Sequence, residues 1–324
     1  MLPTKSILMI RLSRLVANAS ILVLLSAVRC QEEARIFLNI SAAKDCYVSQ
    51  PTVIDITVGY EDAWFQKHAV ALFRQKVGVP IHIHIPWLRP APSHTADILA
   101  RSTDSESVRL AIGDQILDGL RMPTTKRGGR VFQQVQVQVR CVPLSAGTLQ
   151  LAPINVRFAY ANEFREHLLR GREPVDQREQ SVVSGSTHIR VLELPTDGPA
   201  EWSGAVGDFT LSATSSGPQV HVGDSFQVEV TVVGEGNLDD FAALRPPKLD
   251  GFYVQGIVER RVDTGRCFAL DVLALRPGLR EMPGFPFVAF SPTKKSFVSL
   301  TTPTVPVVVL PQPADRALAN HIQD

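Results

Sequence analysis

The clearest pattern in the chain is the alternation of apolar and polar residues along the segment 222–238. Between two turn sequences, four apolar residues recur at every second position, with Gln, Glu and Thr between them: Phe226, Val228, Val230 and Val232. Side chains alternate across a strand, so this spacing predicts a strand of an antiparallel sheet with one face on a core and the other toward water. The segment is typical of a β-sandwich, and it carries no catalytic chemistry.

Two parts of the chain repeat an arrangement of strand, turn and strand. The segment 37–58 corresponds to 209–232, and the segment 135–153 corresponds to 270–283. In the second pair, a strand closes in a Pro/Gly turn and is followed by a short strand that ends at proline. Short strands separated by turns at near-regular spacing favour an all-β sandwich.

The repeat divides the chain into two units of similar design. A length of 324 residues allows about two domains. We therefore predict an all-β protein of two tandem immunoglobulin-like β-sandwich domains, the first over residues 31–200 and the second over residues 201–312. A polar tail follows at residues 313–324.

The first predicted domain contains a helical insertion near residues 61–76. Two adjoining apolar rows recur there at four-residue intervals, one of Trp64, His68 and Leu72 and the other of Phe65, Ala69 and Phe73. This period predicts one amphipathic helix from Glu61 to about Lys76. Because apolar helix faces are usually buried, the pattern favours a helix that covers the core, and a partner-binding surface is the alternative.

The first thirty residues have the layout of a secretory signal peptide. Basic residues at Lys5, Arg11 and Arg14 precede a mostly apolar run, residues 15–28, and a cleavage position falls before Gln31. We predict a signal peptide at residues 1–30 and localisation in the periplasm or cell envelope. The run is shorter than the roughly 20 residues of a comfortable membrane span, and membrane contact is expected only if the leader stays uncleaved as an anchor.

The balance of charge disfavours two classes of partner. The formal net charge is +1, with 20% charged and 44% hydrophobic residues. Nucleic acids and anionic lipid surfaces require clustered basic charge, so neither is expected as the main partner.

The cysteines allow two interpretations, a disulfide or buried free thiols. Cleavage before Gln31 keeps Cys46, Cys141 and Cys267, and an odd number cannot all pair within one molecule. Cys46 and Cys141 both lie in the first predicted domain and could form a bridge in an oxidising compartment. Buried free thiols serve equally well as small core residues.

The strongest metal candidate is a pair of histidines, His82 and His84, in an alternating apolar segment. A strand would place their imidazoles on one face about 7 Å apart, a spacing that suits a transition metal. A metal site needs three or four ligands, and no motif brings a third one close. Two histidines on the solvent face of a strand are therefore favoured, and a metal-binding periplasmic protein using this strand is the alternative function.

No other motif indicates catalysis. The segment Gly234-Glu235-Gly236-Asn237 resembles the start of a dinucleotide loop, but a third glycine and a following helix are missing. We predict instead a hairpin or strand-end turn that uses the glycines at positive φ. A nucleophile elbow and a Cys–His arrangement are also missing from the sequence, so we expect a non-enzymatic protein with no catalytic residues and no cofactor.

Several segments of the chain carry a resemblance to a known family: 204–209, 222–224, 230–238 and Pro246-Pro247 followed by Phe252 in the second half, and 83–88 and 143–153 in the first half. Together they resemble the BatD family, also called the oxygen tolerance or aerotolerance family, of bacterial envelope proteins. The resemblance spans about residues 35–311 and is most specific in the second half.

The resemblance implies a non-catalytic protein of immunoglobulin-like sandwiches outside the cytoplasmic membrane. Its implied role is a protein-interaction or scaffold module in oxygen or stress tolerance, working with von Willebrand A-type membrane proteins and MoxR-type ATPase systems. Family members commonly continue to a C-terminal membrane helix, whereas this chain ends in the polar segment 312–324. A shortened secreted form, or a form anchored by its leader, is the corresponding expectation.

Overall fold

The computed structural model describes residues 34–72, 77–99, 107–168, 171–262 and 265–313. The predicted signal peptide at residues 1–30 and almost all of the predicted polar tail lie outside these residues. Within the described ranges, the backbone forms 25 strands, one α-helix and one 3-10 helix. The prediction of an all-β fold is confirmed.

The first half of the described chain, residues 36–192, contains fifteen strands, the helix α1 (Asp62–His68) and the 3-10 helix (Pro86–Leu88). Its strands are β1 (Ile36–Ser41), β2 (Asp45–Tyr47), β3 (Thr52–Tyr60), β4 (Ala69–Val70), β5 (Ile81–His84), β6 (His94–Ile98), β7 (Ser107–Ile112), β8 (Gln115–Arg127), β9 (Arg130–Pro143), β10 (Gly147–Leu151), β11 (Asn155–Tyr160), β12 (Phe164–His167), β13 (Gly171–Pro174), β14 (Arg178–Val183) and β15 (Thr187–Leu192).

The second half, residues 205–310, contains ten strands. They are β16 (Gly207–Ser215), β17 (Gln219–His221), β18 (Ser225–Gly236), β19 (Phe252–Val262), β20 (Gly265–Ala274), β21 (Glu281–Met282), β22 (Pro286–Ser291), β23 (Ser296–Thr301), β24 (Val305–Pro306) and β25 (Val308–Leu310).

A strongly curled sheet dominates the first half. Its strand order is β1-β3-β9-β8-β7-β5-β11-β14, with β4 added to β11 and β6 added to β9. The two end strands, β1 and β14, lie close to each other, so the sheet bends round its own apolar face. The smaller sheet β10-β15-β2 contributes Leu149, Leu151 and Val191 to the same core.

The second half has a four-stranded sheet, β16-β18-β20-β19, and three separate strand pairs, β17·β25, β21·β24 and β22·β23. Its core combines residues of the sheet, such as Val230 and Phe268, with residues of the pairs, such as Met282 and Phe287. The alternation predicted for the segment 225–232 is present in β18, because Phe226, Val228, Val230 and Val232 are all buried.

The two halves repeat the same scheme of strand pairing, which corresponds to the sequence repeat. The antiparallel order β1-β3-β9 of the first half matches β16-β18-β20 of the second. In each half, a three-residue strand also pairs in parallel with the last strand, β2 with β15 and β17 with β25. Apolar alternation at equivalent positions therefore produces equivalent strands.

The helix in the insertion is shorter than predicted. It ends at His68, because Ala69 has the extended angles φ −68° and ψ 138° and pairs with Tyr160 in β11. The apolar period of the sequence continues past this point, but the backbone of Ala69 and Val70 is taken into the sheet. Residues 73–76 of the predicted helix lie outside the described residues.

The helix covers one end of the first core. Phe65 is buried and its ring lies 5.4 Å from that of Phe158. Trp64 stacks on His68 at 5.1 Å and contacts Tyr160 at 5.3 Å. Trp64 and Phe65, one from each apolar row, thus face aromatic side chains of the sheet.

Candidate functional site

The histidine pair lies on β5, with His82 half-buried and His84 exposed. The neighbours Ile81 and Ile83 are completely buried, so the alternation predicted for this strand is present. The Nε2 atom of His82 lies 2.9 Å from the carbonyl oxygen of Gly113 and donates a hydrogen bond to it. That nitrogen is therefore engaged by the backbone of the β7–β8 turn.

The described residues provide no third ligand for these imidazoles. No group of three or more His, Cys, Asp or Glu side chains that could hold a metal ion occurs within the described ranges. In the sheet, His84 lies opposite Asn155 and His82 lies opposite Arg157. A metal site on β5 would therefore lack the donor set that a stable site requires.

The Gly-Glu-Gly-Asn segment is the end of a strand rather than a hairpin turn. Gly234 and Gly236 are paired with Phe209 and Gly207 of β16, and Gly234 has φ +151°. A Cβ atom on Gly234 would overlap the carbonyl oxygen of Asp208. The glycines are required because the backbones of β16 and β18 approach closely there.

Asn237 follows this strand and ties it to the segment that joins the two halves. Its side chain is buried; Oδ1 accepts a hydrogen bond from the backbone N–H of Val206 at 2.7 Å, and Nδ2 donates to the carbonyl of Gly204 at 2.9 Å. A buried amide with its polar atoms paired fixes backbone position at low cost. We call residues 193–206 the linker.

Arg266 on β20 fixes the loop that follows Asn237. Its guanidinium forms a bidentate pair with Glu259 at 2.6 and 2.7 Å and donates to the carbonyls of Leu238 and Phe241. It also lies over the Phe241 ring, 4.5 Å from the centroid. Arg266 is only 7% exposed. Its nearly buried guanidinium therefore holds the loop in position through contacts in the protein interior.

Aromatic contacts connect the linker with both halves. Trp202 of the linker lies edge-on to Phe297 at 5.3 Å, and Phe297 contacts Phe290 at 5.4 Å. Phe290 in turn meets Tyr47 of the first half at 4.7 Å. Asp239 adds an ion pair with Arg140 at 3.7 Å across the same junction.

A groove of about 300 Å³ lies beside the linker. It is lined mainly by apolar atoms, with Glu201 and Arg245 as its charged residues. Three stretches of chain form it, namely the linker (Ala200, Glu201, Ser203), the loop after β18 (Ala243, Leu244, Arg245, Pro246, Pro247) and the start of β22 (Pro286, Phe287, Val288). Asn237 and Arg266 hold the first two of these stretches in place.

One wall of the groove is the outer edge of β22. Phe290 donates its backbone N–H to the carbonyl of Ala205 at 2.9 Å, and Val206 forms a parallel bridge with Phe290. Backbone groups alternate in direction along a strand, so Val288 directs its N–H and C=O to this same side. The linker pairs with β22 only from Ala205 onward, and the groove occupies the edge before that point.

A turn beside the junction is stabilised by a carboxylate. Asp208 accepts hydrogen bonds from the hydroxyl of Ser291, the last residue of β22, and from that of Thr293 in the turn between β22 and β23. Partial burial alone would raise the pKa of Asp208, but these hydrogen bonds and the charge of Lys294 together hold it below the usual range of an aspartate. The ionised carboxylate is therefore the form that the folded turn favours.

This shift gives an expected dependence of stability on pH. A carboxylate with a lowered folded pKa stabilises the protein above its unfolded pKa, and that contribution is lost as the pH falls through the folded value. We expect Asp208→Asn to lower the melting temperature at pH 7 and to reduce its fall below about pH 4. Melting scans from pH 7 to pH 2.5 test this, with the exposed Asp250→Asn as control; parallel curves for Asp208→Asn and the unaltered chain would contradict the assignment.

Sequence reasoning missed the groove and the arginine that supports it. The three lining stretches are far apart in sequence and carry no chemical motif. Pro246-Pro247 was the one visible signal, because it belongs to the segments that carry the family resemblance.

Comparisons with known proteins identify no function. No protein-family model matches the chain, and no curated protein matches it. A crystal structure of a protein of unknown function from Porphyromonas gingivalis W83 is similar at 12% identity with a TM-score of 0.19, covering 83% of this chain and 99% of that one. Among the described residues, no helix has the length and apolar content needed to cross a membrane.

Proposed function

We propose that this chain is a non-catalytic envelope protein of the BatD type, exported by its leader and built of two tandem immunoglobulin-like sandwiches. Its function is to bind another envelope protein, and the proposed partner is a von Willebrand A-type membrane protein of a MoxR-linked system. The repeated strand pairing of the two halves supports the tandem design. The resemblance in the second half supports the family.

The observation that carries the binding role is the groove at the outer edge of β22. An extended segment could enter there and continue the parallel pairing that Val206 makes with Phe290. Main-chain hydrogen bonds to Val288 would provide affinity, and the apolar walls at Leu244 and Phe287 would accept side chains. Arg245 would select the charge of the incoming segment at the rim.

Site-specific photocrosslinking in the native envelope tests this proposal. A photoreactive phenylalanine analogue replaces Glu201 at the groove, and in a matched variant it replaces Val131, which is 50% exposed on the β8–β9 hairpin. We expect a crosslink from position 201, and not from position 131, to a protein that contains a von Willebrand A-type domain. The same products from both positions, or no product from position 201, would contradict the proposal.

A groove-filling variant adds a second measurement. Ala243 is exposed and lines the groove, so Ala243→Trp should occupy the space without disturbing the core. We expect it to abolish the crosslink from position 201 while the melting temperature stays unchanged. A persistent crosslink would place the partner outside the groove.

A further inference from the structure

Two buried cysteines share the first core. Cys46, the middle residue of β2, is 3% exposed, and Cys141, near the end of β9, is completely buried. Both belong to the same cluster of buried apolar residues. The fold therefore places two thiols that are far apart in sequence in the same core.

The turn after β2 places the two thiols near each other. β3 begins at Thr52, whose register partner in β9 is Cys141. Within the turn, the backbone N–H of Ser49 donates to the carbonyl of Pro143 at 2.8 Å. Cys46 thus begins a short connection, residues 46–52, that is fastened to the end of β9 at Cys141 and at Pro143.

The electrostatics of the two thiols agree with this proximity. Burial, followed by the charge of a Cys46 thiolate, raises the pKa of Cys141 to about 12. Burial is also the main reason that the pKa of Cys46 is raised to about 11. The Cys46 sulfur therefore lies close enough to Cys141 to influence its pKa.

We propose that Cys46 and Cys141 form an intramolecular disulfide in the first core when the chain folds under oxidising conditions. Both thiols are free in the structure. One sulfur–sulfur bond forms and two S–H bonds break. The two electrons and two protons pass to a disulfide of an oxidoreductase or of glutathione, which leaves as two thiols.

The bond forms during folding, before the core closes. The thiolate is the attacking species, and the raised pKa values make it scarce in the folded protein at neutral pH. A chain that has folded in the reduced state therefore stays reduced. The disulfide is therefore a structural bond. Redox-sensor cysteines are exposed to solvent, whereas these two are buried in the core.

Cys267 is an internal control. It is 1% exposed on β20 and lies in the second half, whereas Cys46 and Cys141 lie in the first. It should remain a thiol in the same molecule. The inference concerns the first core and is independent of the groove; its occurrence in the cell depends on the proposed export.

Oxidative refolding of the full chain tests the inference without reference to any partner. The denatured, reduced chain is refolded in a glutathione redox buffer, unfolded again with iodoacetamide present, digested with trypsin and analysed by mass spectrometry. We expect peptides 45–67 and 141–157 to be joined and the peptide that begins at Cys267 to be alkylated. Alkylation of both Cys46 and Cys141, or a link from either of them to Cys30 or Cys267, would overturn the proposal.

Variants and stability complete the test. Cys141→Ser should abolish the link, and Cys267→Ser should leave it intact. The linked chain should melt about 5 to 10 °C above the same chain refolded with reductant, because a long closed loop restricts the unfolded state. A link that lowers the melting temperature would show that the bond distorts the core and would also overturn the proposal.

Discussion

Replacing Arg266 by methionine is expected to lower the free energy of unfolding by about 3 kcal/mol. The methionine keeps much of the apolar stem but leaves the carbonyls of Leu238 and Phe241 without the donor that they share. It also removes the bidentate partner of Glu259. Chemical denaturation of both proteins under the same conditions measures the difference.

A neighbouring arginine provides the control for this prediction. Arg260 pairs with Glu229 at 2.7 Å, but its side chain is 52% exposed. Exposed ion pairs contribute little, so Arg260→Met should leave the denaturation midpoint unchanged. Equal losses in the two variants would show that Arg266 acts as an ordinary surface charge and that the loop after β18 is held by other contacts.

The second large effect is expected at the close approach of β16 and β18. Gly234→Ala should destabilise the protein by about 3 kcal/mol, because the new Cβ would overlap the Asp208 carbonyl and because φ is +151°. The strands would have to separate where they lead into the linker. The denaturation midpoint measures the loss, and crosslinking from position 201 reports whether the groove is disturbed as well.

Gly256 is the matched glycine. It lies at the irregular register of β19, has no atom within 4 Å of a built Cβ, and does not have a positive φ. Gly256→Ala should therefore change stability by less than about 0.5 kcal/mol. If both alanine variants behaved alike, the close approach of β16 and β18 would not be the reason for the glycine at position 234.

The sequence predicted the class of fold because its strands obey a simple local rule. In β18, for example, alternation alone identifies the buried face from Phe226 to Val232. A different local rule, the four-residue apolar period of a helix, predicted a helix after Glu61 that is longer than the observed one. The residues Ala69 and Val70 fit either structure, and the decision depends on β11, which is distant in sequence.

The site was less accessible to sequence reasoning because its parts are joined only by the fold. Arg266 stands in an otherwise buried strand segment, which is a signal for an internal ion pair, but its partners Glu259 and Phe241 cannot be assigned before β19 and β20 are aligned. The groove depends on the direction of the backbone N–H and C=O groups of Val288, and the residue types in the sequence do not predict that direction. His82 and His84 stood out more clearly, yet the described residues bring them no third ligand.

Each of the parallel pairs β2·β15 and β17·β25 joins an early strand of one half to its last strand. Each half can therefore complete its fold only after its last strand has been made. During synthesis or export, the first half cannot close until residues 190–192 have emerged to meet residues 45–47. Contacts between such distant segments slow folding and prolong the exposure of open strand edges. The first half should therefore complete its fold while the second is still incomplete, and open strand edges should stay exposed in each half until its last strand arrives.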